Sequence, residues 1–476
     1  VTGPAGGNPS GVREAAGSAT GSSSRRTLVV AAVLVTLVAA GFVAMGARRR
    51  PPNVLVVVMD TTRADRCAFN GYERPTTPHL DEFARDATVF RDAWSPSNWT
   101  GSAHASLFTG LRVEHHGFHE SNMLYLSEEF PTLAERLSAA GYATACFSNN
   151  SVVAPQFGLT RGFQTFEPLF DRKNRNHPWA RETHEAAAEW ARTQADAGRP
   201  FLVFINDMEP HMPYAPPADV AARFVRGSPT NAEMEEAHHF IYPHTIAYDL
   251  RIEQVSDAQR ELLSDLYDGE IASLDAEIGR LLDALRAAGV LDSTMVIILG
   301  DHGENLGDHH MFEHSLGLHR TLCHVPLLVR YPGAFDKGRV VDDVVRLEDV
   351  YPTALETCGL PVVPGLDGVS LSHDLPGRIA RAMQSPLIQQ RPVLTELFGA
   401  PAGLARLLQG VDAVYDGRYH FIHYADGAEE LYDIARDPGE TDRGAAWDPV
   451  VAARLRALLP AHDPPAAGER PHVTVK

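Results

Sequence analysis

Hydrophobic residues follow three patterns along this chain. From Thr27 to Gly46 they form an uncharged, mostly apolar run of 20 residues, which at ~1.5 Å per residue matches a bilayer span. From residue 53 to 385, short continuous runs rich in β-branched residues (Val54–Met59, Phe201–Ile205, Met295–Leu299, Val325–Val329) alternate with stretches of helical period. One such stretch, Tyr267, Ile271, Leu274, Ile278, Leu281 and Leu285, advances in steps of three and four and predicts one apolar stripe on a long helix. Another, Leu133–Ala140, stops at Gly141. Runs without polar alternation are strands buried on both faces, and strands alternating with helices predict an α/β fold whose mostly parallel sheet is sandwiched by helices. Past residue 385 the runs become shorter: Val393–Leu397, Ala413–Tyr415 and Tyr419–Tyr424, with Asp416-Gly417 and Asp426-Gly427 as hairpin signals. These predict a small antiparallel sheet, closed by a helix from Pro449 to about Leu459.

The expected organisation is therefore a disordered, Gly/Ser/Ala-rich tail over 1–26, a transmembrane helix over 27–46, a catalytic domain over 53–385, a C-terminal subdomain over 386–460 and a tail over 461–476. Arg25-Arg26 and Arg48-Arg49-Arg50 bracket the apolar run, which favours a membrane anchor over a buried core helix. Arg lies on both sides, so charge does not orient the span. The usual signal-anchor arrangement puts the catalytic body outside the cytoplasm.

Charge divides the chain in the same place. Residues 1–50 carry six Arg against one Glu, a net +5, whereas the remainder carries 36 basic and 60 acidic residues, a net −24. An acidic body argues against nucleic acid as the partner. The four cysteines (Cys67, Cys146, Cys323, Cys358) form no Cys-x-x-Cys pair and leave the redox compartment undecided.

In open α/β sheets, polar residues that do chemistry sit just past the strand ends. Asp60, Asp207 and Asp301 each close one of the apolar runs. Three segments sharpen this picture: Asp60-Thr-Thr-Arg63, Ser95-Pro-Ser-Asn-Trp-Thr-Gly-Ser-Ala-His-Ala-Ser-Leu-Phe-Thr-Gly110 and Asp301-His302-Gly-Glu304. With Glu209-Pro-His211-Met-Pro-Tyr214 and Glu313-His314, they resemble, in order, the blocks of the sulfatase family in the alkaline phosphatase superfamily. The resemblance covers residues 53–440, and Glu430 to Glu440 resembles the family's closing C-terminal motif. It implies an alkaline-phosphatase-like sheet and a hydrolase or transferase acting on sulfate or phosphate (di)esters.

Counting back from Thr109-Gly110, the family's nucleophile position falls on Thr100 and its supporting Arg on His104. Sulfatases convert Cys or Ser there to formylglycine. Threonine carries a methyl on its β-carbon, so no formylglycine is expected. Asp60, Thr100, Asp301 and His302 would instead ligate a divalent metal (Mn²⁺, Mg²⁺, Ca²⁺ or Zn²⁺) that activates the Thr100 hydroxyl. The family's second acidic position is Thr61, which shifts the preference towards Mn²⁺ or Zn²⁺. The competing role for Thr100 is a helix N-cap. Asn98-Trp-Thr100 also matches a glycosylation sequon, one that would be buried in the site.

Arg63 would bind the ester oxygens or orient Thr100; otherwise it is a surface salt bridge. His104 would support Thr100 or the metal shell. His211 and His314 would contact substrate or protonate the leaving oxygen. Spacing also permits a second metal on Asp207, His211 and His314. Threonine lacks the hemiacetal route by which formylglycine releases sulfate, which favours phosphodiester or phosphonate-like esters, or transfer to a glycan or lipid headgroup. The alternative is a catalytically inactive sulfatase-fold protein that binds an anionic glycan or lipid headgroup.

Overall fold

A computed structural model describes residues 51–120, 125–171, 179–386, 397, 408–444 and 446–460. The expected tails, the 27–46 span and most of the 393–397 strand lie outside those residues. Among the described residues no helix is long and apolar enough to cross a membrane.

The central sheet has eight strands, in the spatial order Val340–Val341, Thr88–Phe90, Leu327–Arg330, Thr294–Leu299, Asn53–Met59, Phe201–Asp207, Ala143–Ser148, Thr165–Pro168. Asn53–Met59 lies parallel between Phe201–Asp207 and Thr294–Leu299. Leu327–Arg330 runs antiparallel to both its neighbours. The sheet is thus mostly parallel, as the unalternated apolar runs predict. Because successive side chains face opposite ways, Leu55, Val57 and Met59 enter one apolar layer and Val54, Val56 and Val58 the other.

The helix Asp257–Ala287 covers the first layer, where Leu266, Tyr267, Ile271, Leu274 and Ile278 are all buried. Ser256 starts it by accepting the Gln259 N–H. Each fully buried Leu or Ile contributes ~1.5–3 kcal/mol, so truncating Leu274 costs ~2–5 kcal/mol. The second layer is covered by Thr100–Thr109, Leu133–Ala139 and Val350–Thr357. A reciprocal Thr132–Glu135 capping box sets the start of the middle one.

Two expectations need correction. The Val325–Val329 run is not one strand: His324–Val325 pairs with Ala93–Trp94 in a small separate sheet, and Leu327–Arg330 joins the main sheet. Pro326, which has no N–H to donate, separates them. The C-terminal sheet also begins before 386. Its four antiparallel strands are Ala380–Gln384, Val411–Tyr415, Tyr419–Tyr424 and Glu429–Asp433. The first alternates buried and half-buried residues and contains Arg381, so it lacks the apolar run that marks the others. Asp416-Gly417 and Asp426-Gly427 make the turns, with both glycines at positive φ. Pro449–Arg456 packs Ala452 and Leu455 on Phe421 and Leu431. Trp94 of the body stacks on Tyr415 at 4.2 Å and locks the sheet to it. All four cysteines are buried and free.

Candidate active site

Three parallel strands end side by side, which brings Asp60, Asp207 and Asp301 to one edge of the sheet. Asp60 and Asp301 share an unusual bonding pattern. Asp60 Oδ2 accepts from Asn150 Nδ2 (2.7 Å) and Asn206 Nδ2 (3.4 Å), while its Oδ1 is buried without a hydrogen-bond partner. Asp301 Oδ1 accepts the backbone N–H of His302 (2.9 Å) and Thr61 (3.2 Å), while its Oδ2 is likewise bare.

His302 completes the cluster. Its Nδ1 meets the Gly303 carbonyl at 3.0 Å, and a carbonyl only accepts, so Nδ1 carries the proton and Nε2 presents its lone pair. That Nε2 lies 3.4 Å from Asp301 Oδ2 and 3.9 Å from Asp60 Oδ1. Among the described residues these three form the grouping able to hold a metal ion.

The charges point the same way. Burial, reinforced by Asp301, raises the Asp60 carboxyl to about 6, and burial raises Asp301 to about 7. Burial, with neighbouring His314, drops His302 to about 3. Two bare carboxylate oxygens that resist ionisation beside an imidazole that rejects a proton form a site short of one cation. The donor set, two carboxylate oxygens and one imidazole nitrogen, fits a divalent metal tolerant of mixed N/O ligation.

Thr100 is the first residue of the helix Thr100–Thr109, and Trp99, not Thr100, occupies the N-cap. Its hydroxyl is therefore not spent on capping. Oγ1 lies 3.2 Å from His302 Nε2 and 3.5 Å from Asn150 Nδ2. Trp99 stacks on Phe118, and a Cβ on Gly101 would overlap the Trp99 ring at 2.3 Å, so glycine is required for this tight entry to the helix. Asn98 is buried, which removes the sequon from solvent.

His104, one turn later, hydrogen-bonds Thr100, but at the backbone. Its Nδ1–H donates to the Thr100 carbonyl at 2.8 Å, and Nε2 faces Asn206 at 3.4 Å. Burial lowers it to about 3, so it is a neutral brace, not a replacement for an Arg charge.

Arg63 is a clearer correction. Its guanidinium is fully engaged, with Asp65 at 2.8 and 2.9 Å, Asp308 Oδ2 at 2.7 Å and the Glu304 carbonyl at 3.1 Å. Asp308 and Asp65 hold it charged against burial. It is neither a surface ion pair nor disposed towards an ester; it ties the Asp60 loop to the 301–308 loop.

His314 packs against His302, and His211 packs against His314. Ring centroids are 4.5 Å apart for His302–His314 and 5.0 Å for His211–His314. Their environments differ. Burial, with His211 adjacent, pushes His314 far down, and its Nδ1 contacts Glu304 Oε2 at 3.1 Å. Burial also opposes charge on His211, yet Asp60 and Glu304 raise it above the ordinary imidazole value. Its Nδ1–H is held by the Met212 carbonyl at 2.7 Å, leaving Nε2 for chemistry.

The second-metal trio does not assemble. Asp207 Oδ2 turns to His184 Nε2 at 2.8 Å, on the helix Trp179–Asp196. Burial opposes the charge on His184, but Asp207 raises its affinity for a proton, as in an ion pair.

Four contributors escape the sequence patterns: Asn150, Asn206, Glu304 and Tyr267. Tyr267 donates to the Thr61 carbonyl at 2.7 Å and accepts the Arg63 N–H at 3.0 Å. It thereby braces Thr61, whose positive φ of 54° is strained for a β-branched residue. Asn206 and Tyr267 look like strand and helix core. Only the Asp301-His302-Gly-Glu304 block hinted at Glu304.

Comparisons with known proteins settle the lineage. The sulfatase family model matches residues 52–360, and a model of the N-sulphoglucosamine sulphohydrolase C-terminal region matches 307–452. The chain belongs to the sulfatase family. By that membership it is an ester hydrolase, in a family whose members use a divalent metal. Among its relatives, arylsulfatase K of Bos taurus is 24% identical over 86% of this chain and 81% of that one. The multifunctional alkaline phosphatase superfamily protein PehA of Trinickia caryophylli is 25% identical over 85% of this chain and 93% of that one. The phosphonate monoester hydrolase of Agrobacterium radiobacter shares the fold, with a TM-score of 0.68 at 23% identity, covering 86% and 94% of the two chains.

Proposed function

We propose that this sulfatase-family protein hydrolyses anionic esters with Thr100 Oγ1 as the nucleophile, and that phosphodiesters and phosphonate monoesters are better substrates than sulfate esters. One observation carries the reading. A buried hydroxyl not used for capping lies 3.2 Å from His302 Nε2, beside two bare carboxylate oxygens. Asp60 Oδ1, Asp301 Oδ2, His302 Nε2 and the Thr100 oxygen would hold a divalent ion, whose charge would offset that of the ester and lower the hydroxyl pKa.

The chain's own groups then divide the work. Asn150 holds Asp60 and faces Thr100, fixing the direction of attack. The Thr100–Thr109 helix directs its N-terminal dipole at the anionic ester. His211, raised by Asp60 and Glu304 against burial, is the group that delivers a proton to the leaving oxygen, while His314 stays neutral and orients the ester. A phosphorylated Thr100 is open to in-line attack by water, which breaks the Thr–O–P link and restores the hydroxyl. The same threonine carrying sulfate has no such internal release, and this sets the proposed preference.

The relatives support both ester classes, since arylsulfatases and a phosphonate monoester hydrolase occur together among them. Binding without catalysis is disfavoured, because a module that only binds glycan has no use for bare, buried Asp60 and Asp301 oxygens. We further propose that residues 27–46 tether the body to a membrane with the site on the outer side, facing envelope glycans or lipid headgroups. The test is a turnover comparison of aryl sulfate, phosphodiester and phosphonate monoester with Mn²⁺ or Zn²⁺ supplied. Faster aryl sulfate turnover, lost on treatment with a carbonyl reagent, would show formylglycine chemistry and refute the proposal.

A further inference from the structure

The 307–319 loop serves two places. His309, His310 and His319 line a junction cavity of about 390 Å³ against the C-terminal sheet. Glu313 and His314, between them in sequence, belong to the ester pocket, where the His314 ring packs against His302 and His211.

Glu313 ends the short strand Phe312–Glu313, which pairs with Asn305–Leu306. Its φ of 58° is strained for a residue with a long side chain, and glycine or asparagine would relieve that strain. Strain of this kind clusters at functional sites. Thr245, on the helix His244–Asp249, holds the side chain by donating to Oε1 at 2.8 Å. A glutamine carbonyl would accept the same bond, so the tether does not account for the charge. The residue is half-buried, so a ligand that enters the pocket can meet it.

Positive charge is scarce around the ester. A divalent ion on Asp60 and Asp301 would be balanced by those two carboxylates alone. Arg63 is engaged by Asp65 and Asp308. Burial keeps His104, His302 and His314 neutral. The chain has three lysines: Lys337 pairs with Asp86, and Lys173 and Lys476 lie outside the described residues. His211 is the group that gains affinity for a proton. Burial opposes that gain; Asp60 and Glu304 drive it, and Glu313 adds to it. One imidazolium set against Glu304 and Glu313 leaves room for a single negative charge on the ester. A sulfate ester, a phosphodiester and a phosphonate monoester each carry one. A phosphate monoester carries two near neutrality, as does the free phosphonate left after a phosphonate monoester is cleaved.

We propose that Glu313 is a specificity-determining residue, which admits singly charged esters and disfavours doubly charged ligands, the hydrolysis product included. The proposal rests on the reading that the Thr100 pocket takes an anionic ester.

The test uses the full wild-type chain supplied with Mn²⁺ and two ligands that have a phenyl group and no cleavable ester: phenylphosphonate, doubly charged, and methyl(phenyl)phosphinate, singly charged. Both are titrated calorimetrically at pH 8, above the value of about 7 to which burial, with Glu304, raises the Glu313 carboxyl. Glu313→Gln should tighten phenylphosphonate about 10-fold relative to methyl(phenyl)phosphinate. Glu313→Asn, neutral and suited to the left-handed backbone, should do the same, and Glu313→Asp should keep the parental ratio. A ratio unmoved in both neutral variants, or an equal weakening of both ligands, overturns the proposal. Binding of neither ligand to the wild type overturns it together with the ester-pocket reading. Undiminished ester turnover by Thr100→Ala would instead refute the nucleophile, while a selective gain for phenylphosphonate in Glu313→Gln would still stand.

Discussion

The ester pocket and the junction cavity are both rich in histidine, yet they are built differently. In the ester pocket His302, His104 and His211 each have Nδ1 tied to a backbone carbonyl, which fixes the tautomer and aims Nε2 inwards. His302 follows a strand end and His104 sits on a helix, where the core sets their positions, while His211 sits on the turn after Phe201–Asp207. At the junction, His309 and His310 sit on a turn with φ of 53° and 62°, and their Nε2 atoms lack partners. Rigid placement of this kind suits bond-making.

Predictions that would break or sharpen this contrast run from large to small. Thr100→Ala should lower kcat/KM for a phosphodiester by ~10³-fold or more, because no other described hydroxyl is placed as this one is. Asp301→Asn should abolish stoichiometric metal in the purified protein, read by elemental analysis, with activity falling ~10²–10³-fold. His211→Gln should cost ~10²-fold and remove the alkaline limb of the kcat/KM profile. The sign follows from its raised pKa: a required proton is present below that value and lost as pH climbs through it. Asn150→Ala should cost ~10-fold with metal content retained, since Asn150 touches Asp60 through Oδ2 and leaves Oδ1 bare.

The smallest effect lies behind the His211 loop. Burial, with Glu209 nearby, raises Glu270 to about 8 from an ordinary 4.5. Its stabilising contribution is complete below the unfolded value and is lost as pH rises through about 8. Glu270→Gln should therefore melt higher than the parent at pH 9, and the difference should shrink towards pH 5.

Much of the site was legible in the chain because strand ends are legible. An apolar run stops, a carboxylate follows, and Asp60 and Asp301 sit where that rule puts them. Asp207 obeys the same rule and still turns away to His184, because a strand-end position does not set a rotamer. Arg63 was misread because Asp65 and Asp308, which engage it, belong to no motif. Asn150 left no periodic signal; its role arises from a contact 90 residues away in sequence. The strand Ala380–Gln384 was missed for a related reason, since its buried positions are two alanines and Gln384, with the half-buried Arg381 between, and no apolar run forms.

The most direct measurement is peptide mass spectrometry of the full, metal-loaded protein quenched during turnover of an aryl phosphonate monoester. The account predicts an unoxidised Thr100 whose peptide carries the phosphonyl adduct in wild type and lacks it in His302→Ala. An adduct on another residue, or turnover with Thr100 never modified, would contradict it.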